Sequence, residues 1–191
     1  MSSVFFVGIV SAAPKQAAAN SVSFQHACGA AAAGFARCHA ILKVSGKPDG
    51  GGSPSGLSPS DLQSAYKLSA TGGNGQTIAI VDAYDDPNAE ADISAIGDPN
   101  TGVSVYDTYR ESGWLVFGGA SVATPIIASV YALANNASTV GGNASYLYSH
   151  TSSYFDVTSG SNGNCGSLLC NAPTGWDGPT GLGTPNGSGG F

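Results

Sequence analysis

Charge is what this chain has least of. Only 9% of its 191 residues are Asp, Glu, Lys or Arg, against the quarter or so usual in globular domains. Six basic residues and a formal net charge of −6 leave no cationic surface for nucleic acid or for an anionic membrane. No apolar run approaches the ~20 residues that a membrane-spanning helix needs. Disorder driven by charge repulsion is excluded as well, because 42% of the residues are hydrophobic. What fills the space is glycine, 28 residues of it, together with serine. That composition fits a secreted protein built with many tight turns, and the length fits one domain able to bury a core.

The first residues, MSSVFFVGIVSAAP, combine a short apolar stretch (Val4 to Val10) with small residues at Ser11, Ala12 and Ala13. This has the form of a secretory signal, although basic residues before the apolar stretch are missing; a buried strand is the other reading. Residues 14–21 read as a spacer and residues 44–60, rich in Gly, Pro and Ser, as a linker. The expected organisation is therefore a signal and spacer over 1–20, an N-terminal segment and linker over 21–55, and a folded body over 56–191. Four cysteines permit three pairings; close spacing and an exported context favour two local bridges, Cys28 with Cys38 and Cys165 with Cys170.

The most informative stretch is Gly118 to Pro125, GGASVATP, between the apolar run Trp114 to Phe117 and the helix-like PIIASVYALA, Pro125 to Ala134. Two glycines allow a tight bend and a close-passing neighbour. Pro125 suits the first turn of a helix. Ser121 then lies at a loop-to-helix junction, where unpaired N–H groups and the helix dipole favour developing negative charge. A serine there is either a nucleophile or simply an N-cap.

Upstream, Ser58 or Ser60 can cap a short helix over 61–68, with Pro59 at its first turn. Thr77 to Val81 read as a buried parallel strand, with Asp82 at its C-terminal end, where open α/β sheets place their chemistry. Asp86 and Pro87 signal a helix start, with NAEADISAI helical for two turns. Residues 100–109 alternate like a half-exposed strand or hairpin, and the last forty residues read as loops with short strands.

Taken together these stretches resemble the sedolisins, the serine-carboxyl peptidases, whose nucleophile lies in Ser-Gly-Thr-Ser-x-x-x-Pro; Ala120 stands here where the family has Thr. GLSPSDLQSAYKL (56–68), GQTIAIVDAYDDPNAEAD (75–92) and ISAIGDPNTGVSVYDTY (93–109) are similar to blocks of the family's bacterial secreted members. The resemblance runs from about Phe35 to the end. It implies an α/β fold, a subtilisin-like three-layer parallel-sheet domain that is truncated here, with 56–191 as a shortened peptidase-like domain. It implies acid hydrolysis of protein or peptide substrates through an acyl-enzyme on Ser121, by a secreted (extracellular or periplasmic) monomer. Asp82 would be an accessory acid.

One part of the family pattern is missing. Sedolisins use a Glu held by an Asp one helical turn later as base, and a further Asp for the oxyanion, in a long segment between the second and third blocks. Here those blocks adjoin at Ala91 and Asp92, which fits an internal deletion of the base pair, the oxyanion Asp and several strands. Asp86 and Glu90 share a helix face at i,i+4, but in the reverse order, and read as an N-cap and a solvated side chain. His150 reads as a surface-loop residue, because the order Asp82, Ser121, His150 is not subtilisin's order. The resemblance also implies a Ca²⁺ site from the Asp156 carboxylate, the Val157, Pro173 and Gly175 carbonyls and the Asp177 carboxylate. Pro173 stands where the family usually has Gly, and its carbonyl can still serve.

Overall fold

Ser58, Pro59 and Asp61 start the first helix in the way their order predicts. A computed structural model of the chain describes residues 22–33, 38–44, 55–73, 75–78, 93–109, 113–140 and 144–191. Helix α1 spans Pro59–Ala65, and its Ser58 cap is reciprocal. The Asp61 N–H donates to Ser58 Oγ (3.3 Å), and the Ser58 N–H donates to Asp61 Oδ2 (2.7 Å). The Ser58 hydroxyl also donates to Asp61 Oδ2, and this bond, followed by the backbone one, holds the Asp61 carboxyl below its ordinary value of 3.8. A carboxyl lowered by folding stabilises the folded state above that ordinary value and loses the contribution as pH falls through the folded value. Asp61→Asn is therefore expected to flatten the acid limb of a pH-dependent urea titration below pH 3.8 while leaving the neutral region nearly level.

The main sheet has four strands, β1 (Ser23–His26), β2 (Ile41–Val44), β3 (Val103–Asp107) and β4 (Gly113–Gly118), in the order β1-β2-β4-β3. Every pairing between these strands is antiparallel. A single parallel bridge joins Leu57 to Val103. Tyr106 lies directly opposite Trp114, and their rings meet edge to face at 5.2 Å, a cross-strand contact that fixes the β3–β4 register. β2 pairs Ile41 with Gly118 and Leu42 with Phe117, so residues read from sequence as part of the N-terminal segment share a sheet with residues of the 56–191 body. Both local disulfides form, and Cys28–Cys38 closes the segment between β1 and β2.

Helix α2 spans Ala120–Ala134, beginning five residues before Pro125. The expectation that Pro125 opens the helix is corrected here. Gly119 makes the turn at φ 89°, and its carbonyl already accepts the Val122 and Ala123 N–H groups at 2.9 and 3.3 Å. Pro125 has no N–H to return to the Ser121 carbonyl, so the helix ladder lacks that bond in its opening turns. Asn135 closes the helix in the left-handed conformation, φ 52°. Only Val122 and Val130 are buried along it, fewer than its apolar sequence suggests.

The core lies at the far end of α2. Val130, Leu147, Tyr154 and Phe191 form it, with Ile127, Tyr131 and Leu182 packed around. Leu147 comes from the short helix α4 (Ser145–Tyr148), which follows α3 (Ala137–Val140). Tyr154 opens β5 (Tyr154–Phe155), paired with β6 (Thr184–Pro185), in agreement with the short strands expected near the end. Burial raises the Tyr154 hydroxyl well above the usual tyrosine range, and that hydroxyl donates to the Gly190 carbonyl at 2.8 Å.

Two other expectations change. Residues 93–96 are extended rather than helical, because Ile93 bridges to Gly181 and the Ser94 N–H donates to the Gly183 carbonyl at 2.9 Å. Thr77 and Ile78 are irregular, and Ile78 is exposed; the rest of the expected Thr77–Val81 strand lies outside the described residues. No helix among the described residues is long and apolar enough to cross a membrane.

Candidate active site

Ser121 is the second residue of α2 and is exposed. Strand β4 delivers the chain to this point, and Gly118 and Gly119 turn it into the helix between two close neighbours. A Cβ on Gly118 would stand 2.5 Å from the Pro99 nitrogen and 2.7 Å from the Gly97 carbonyl oxygen. A Cβ on Gly119 would run into the His39 carbonyl oxygen. The Gly119 N–H donates to the Gly97 carbonyl at 2.6 Å. Gly119→Ala therefore combines a left-handed φ with a clash on backbone. We expect it to cost at least 1–3 kcal/mol in urea unfolding, well above Gly160→Ala, whose positive φ opens onto empty space.

The Ser121 hydroxyl oxygen accepts a hydrogen bond from the main-chain N–H of His39 at 3.1 Å. Among the described residues no carboxylate or imidazole hydrogen-bonds it. Beside it lies a cavity of about 430 Å³ between α1, β3 and α2, walled by Leu57, Leu62, Val105, Ile126 and Leu133 and carrying no charged residue. An apolar side chain fits that wall; an ionised one would be desolvated there without a partner.

Asp82, Asp86 and Glu90 lie outside the described residues. His150 is half-buried and engaged elsewhere: its ring stacks on Tyr146 at 4.0 Å, and Nδ1 meets the Tyr146 carbonyl at 2.8 Å and Ser149 Oγ at 3.0 Å. It lies in the loop after α4, held there by Tyr146 of that helix and by Ser149.

Of the expected calcium ligands, Asp156 and Gly175 are in direct contact. Asp156 Oδ2 accepts the Gly175 N–H at 2.8 Å, which ties the loop carrying Pro173, Gly175 and Asp177 to the Asp156–Val157 corner. Asp177 is fully buried. Its Oδ1 accepts the Thr180 N–H at 2.8 Å and the Thr180 hydroxyl at 3.0 Å, while Oδ2 is buried without a hydrogen-bond partner. A buried carboxylate oxygen left unpaired is costly, and a hard cation is the partner that suits it. The unpaired Asp177 oxygen and the all-oxygen chemistry of the expected ligands are of the kind that Ca²⁺ takes.

The His39 N–H was not foreseeable from residue types, since a backbone donor leaves no mark in the sequence. Only the neighbouring Cys38 hinted that this segment is anchored.

Peptidases are the class to which the comparisons point. Over 77 residues the chain is 44% identical to a protein named tripeptidyl-peptidase sed1, from Aspergillus fumigatus, covering 37% of this chain and 12% of that protein. Over 75 residues it is 41% identical to aorsin, from Aspergillus oryzae, covering 36% of this chain and 12% of that protein. The chain thus contains a stretch homologous to a fungal peptidase, and it spans a small part of the length of these relatives. Both matches are fungal, so the bacterial side of the resemblance has no counterpart in them. No family model matches the chain.

Proposed function

We propose that this chain is a sedolisin-type serine endopeptidase unit that cleaves protein or peptide substrates through an acyl-enzyme on Ser121. The observation that carries the reading is an exposed serine hydroxyl at the head of a 15-residue helix, beside an apolar groove. The groove suits an apolar substrate side chain. Oγ would attack the peptide carbonyl carbon with its proton passing to solvent water, and the carbonyl electron pair would move to oxygen. Its return would break the C–N bond and release the amine, protonated from water, leaving the acyl-enzyme for water to hydrolyse. By resemblance, Asp82, which lies outside the described residues, is assigned an accessory acid role in a truncated, subtilisin-like α/β domain; the strand pairings described within the main sheet are antiparallel. The two fungal matches, the disulfides and the paucity of charge support a secreted peptidase acting as a monomer, away from nucleic acid and membranes.

Catalysis is impaired in this reading, because the Glu/Asp base pair and the oxyanion Asp belong to the family segment absent where the two blocks adjoin at Ala91 and Asp92. A second reading, a non-catalytic calcium-binding pseudo-peptidase, is favoured by one observation: the hydrogen bond to Ser121 Oγ comes from a main-chain N–H and not from a base. In both readings Asp156, Val157, Pro173, Gly175 and Asp177 hold Ca²⁺, which cross-links the loops of the C-terminal part. Hydrolysis of a quenched fluorescent peptide library in acid separates the two. The expected result is slow turnover, on the order of 10⁴-fold or more below an intact enzyme, that disappears in Ser121→Ala. Equal rates for the two proteins leave the non-catalytic reading.

A further inference from the structure

We infer that the main-chain N–H of His39 is an anion-stabilising donor for the Ser121 side-chain oxygen, so that the disulfide-closed N-terminal segment completes the site. This deepens the reading of Ser121 as nucleophile and rests on it. Four observations place the donor. His39 N lies 3.1 Å from Ser121 Oγ across 82 residues of sequence. The adjoining strand β2 is hydrogen-bonded to β4 up to Gly118, one residue before the helix cap. Gly119 has no side chain, and a Cβ there would push the His39 peptide away. Cys38, bridged to Cys28, supplies the carbonyl side of the peptide unit that carries this N–H, and the His39 carbonyl facing Gly119 belongs to the next unit.

An N–H aimed at an oxygen that becomes negative gains strength as the charge develops, because charge-assisted hydrogen bonds are roughly twice as strong as neutral ones. The start of α2 contributes in the same sense. The titratable side chains on the described neighbouring elements are His39 itself, Lys43 on β2, Asp61 on α1, Asp98 ahead of β3 and Asp107 at the far end of β3. The three carboxylates would oppose an anion at this position, so the N–H and the helix end must outweigh them.

The test replaces the oxygen by a group whose ionisation is easily read. All four native cysteines are in disulfides, so Ser121→Cys in the full chain carries a single free thiol. Its rate of alkylation by iodoacetamide against pH gives the thiol pKa. A free cysteine lies near 8.5, and the expected value is about 7. Adding His39→Pro, which deletes the N–H, is expected to move it up by about one unit. Adding His39→Ala, which keeps the N–H, should leave it in place and so excludes the imidazole as the cause. A pKa of 8.5 or higher in Ser121→Cys alone overturns the inference, even if the proline variant does not fold. Equal shifts in the alanine and proline variants overturn it as well. Failure of the peptidase reading shows separately, as absent peptide turnover, because thiol ionisation needs no base and no substrate.

Discussion

Addition of Ca²⁺ is expected to raise the melting temperature of the full chain by about 5–10 °C once the ion reaches a hundredfold excess over its dissociation constant. At that excess, binding to the folded state alone contributes about 2.7 kcal/mol, and a chain of this size gains about 2–4 °C per kcal/mol. Asp177→Ala is expected to abolish the rise. The reason is local: Asp177 is wholly buried, one of its oxygens already serves Thr180, and the other has no hydrogen-bond partner. Without the ion, the same substitution has two opposing effects. It removes an incompletely paired buried carboxylate, and it strands the Thr180 N–H. The ion-free melting point should therefore move far less than the ion-bound one. Differential scanning fluorimetry of the two proteins with Ca²⁺ and with a chelator reads both numbers. A calcium-dependent rise that survives in Asp177→Ala would remove this loop from the site.

Phe191→Ala is expected to cost about 3–5 kcal/mol, the largest stability loss from any single truncation in the core. Phe191 is 1% exposed and meets Tyr131 and Tyr154 edge to face, at 5.1 and 5.5 Å between ring centres. Those two rings come from α2 and β5, so one side chain joins the helix that carries Ser121 to the strand that runs into Asp156. The buried core is small, and a domain stable by about 5–15 kcal/mol has little to spare. Phe191→Leu keeps most of the apolar volume but loses both ring contacts, and should cost less than half as much. Urea unfolding of the three proteins checks the order; a loss below 1 kcal/mol for Phe191→Ala would show that the cluster contributes little to global stability.

The parts of this molecule that sequence disclosed are those governed by short-range chemistry. Ser58, Pro59 and Asp61 state a helix start because capping is settled within four residues. The two cysteine pairs are local for a similar reason, with separations of ten and five residues. Gly118 and Gly119 announced a tight bend and a close neighbour, and both are present. The neighbour's identity was not legible, since His39 reaches Ser121 through strand pairing over 82 residues. The pairing of β2 with β4 was equally hidden, because a four-residue apolar run such as Ile41–Val44 carries no record of its partner. The helix expected to run through 93–96 does not form there, because bonding to Gly181 and Gly183 holds these residues extended, a tertiary contact that the local pattern does not record. The expected oxygen ligands at Asp156 and Asp177 come from family resemblance and not from spacing, since 21 residues separate the two carboxylates. Their hydrogen bonds then showed a loop already tied to the Asp156 corner.

The account turns on whether the Ser121 hydroxyl is reactive. The direct measurement is mass spectrometry of the full chain after treatment with a fluorophosphonate, with the adduct mapped by proteolysis. The expected outcome is one adduct, located on the peptide containing Ser121 and absent from Ser121→Ala. An unmodified chain, or modification spread over other serines to the same extent in both proteins, would contradict a nucleophile at the head of α2.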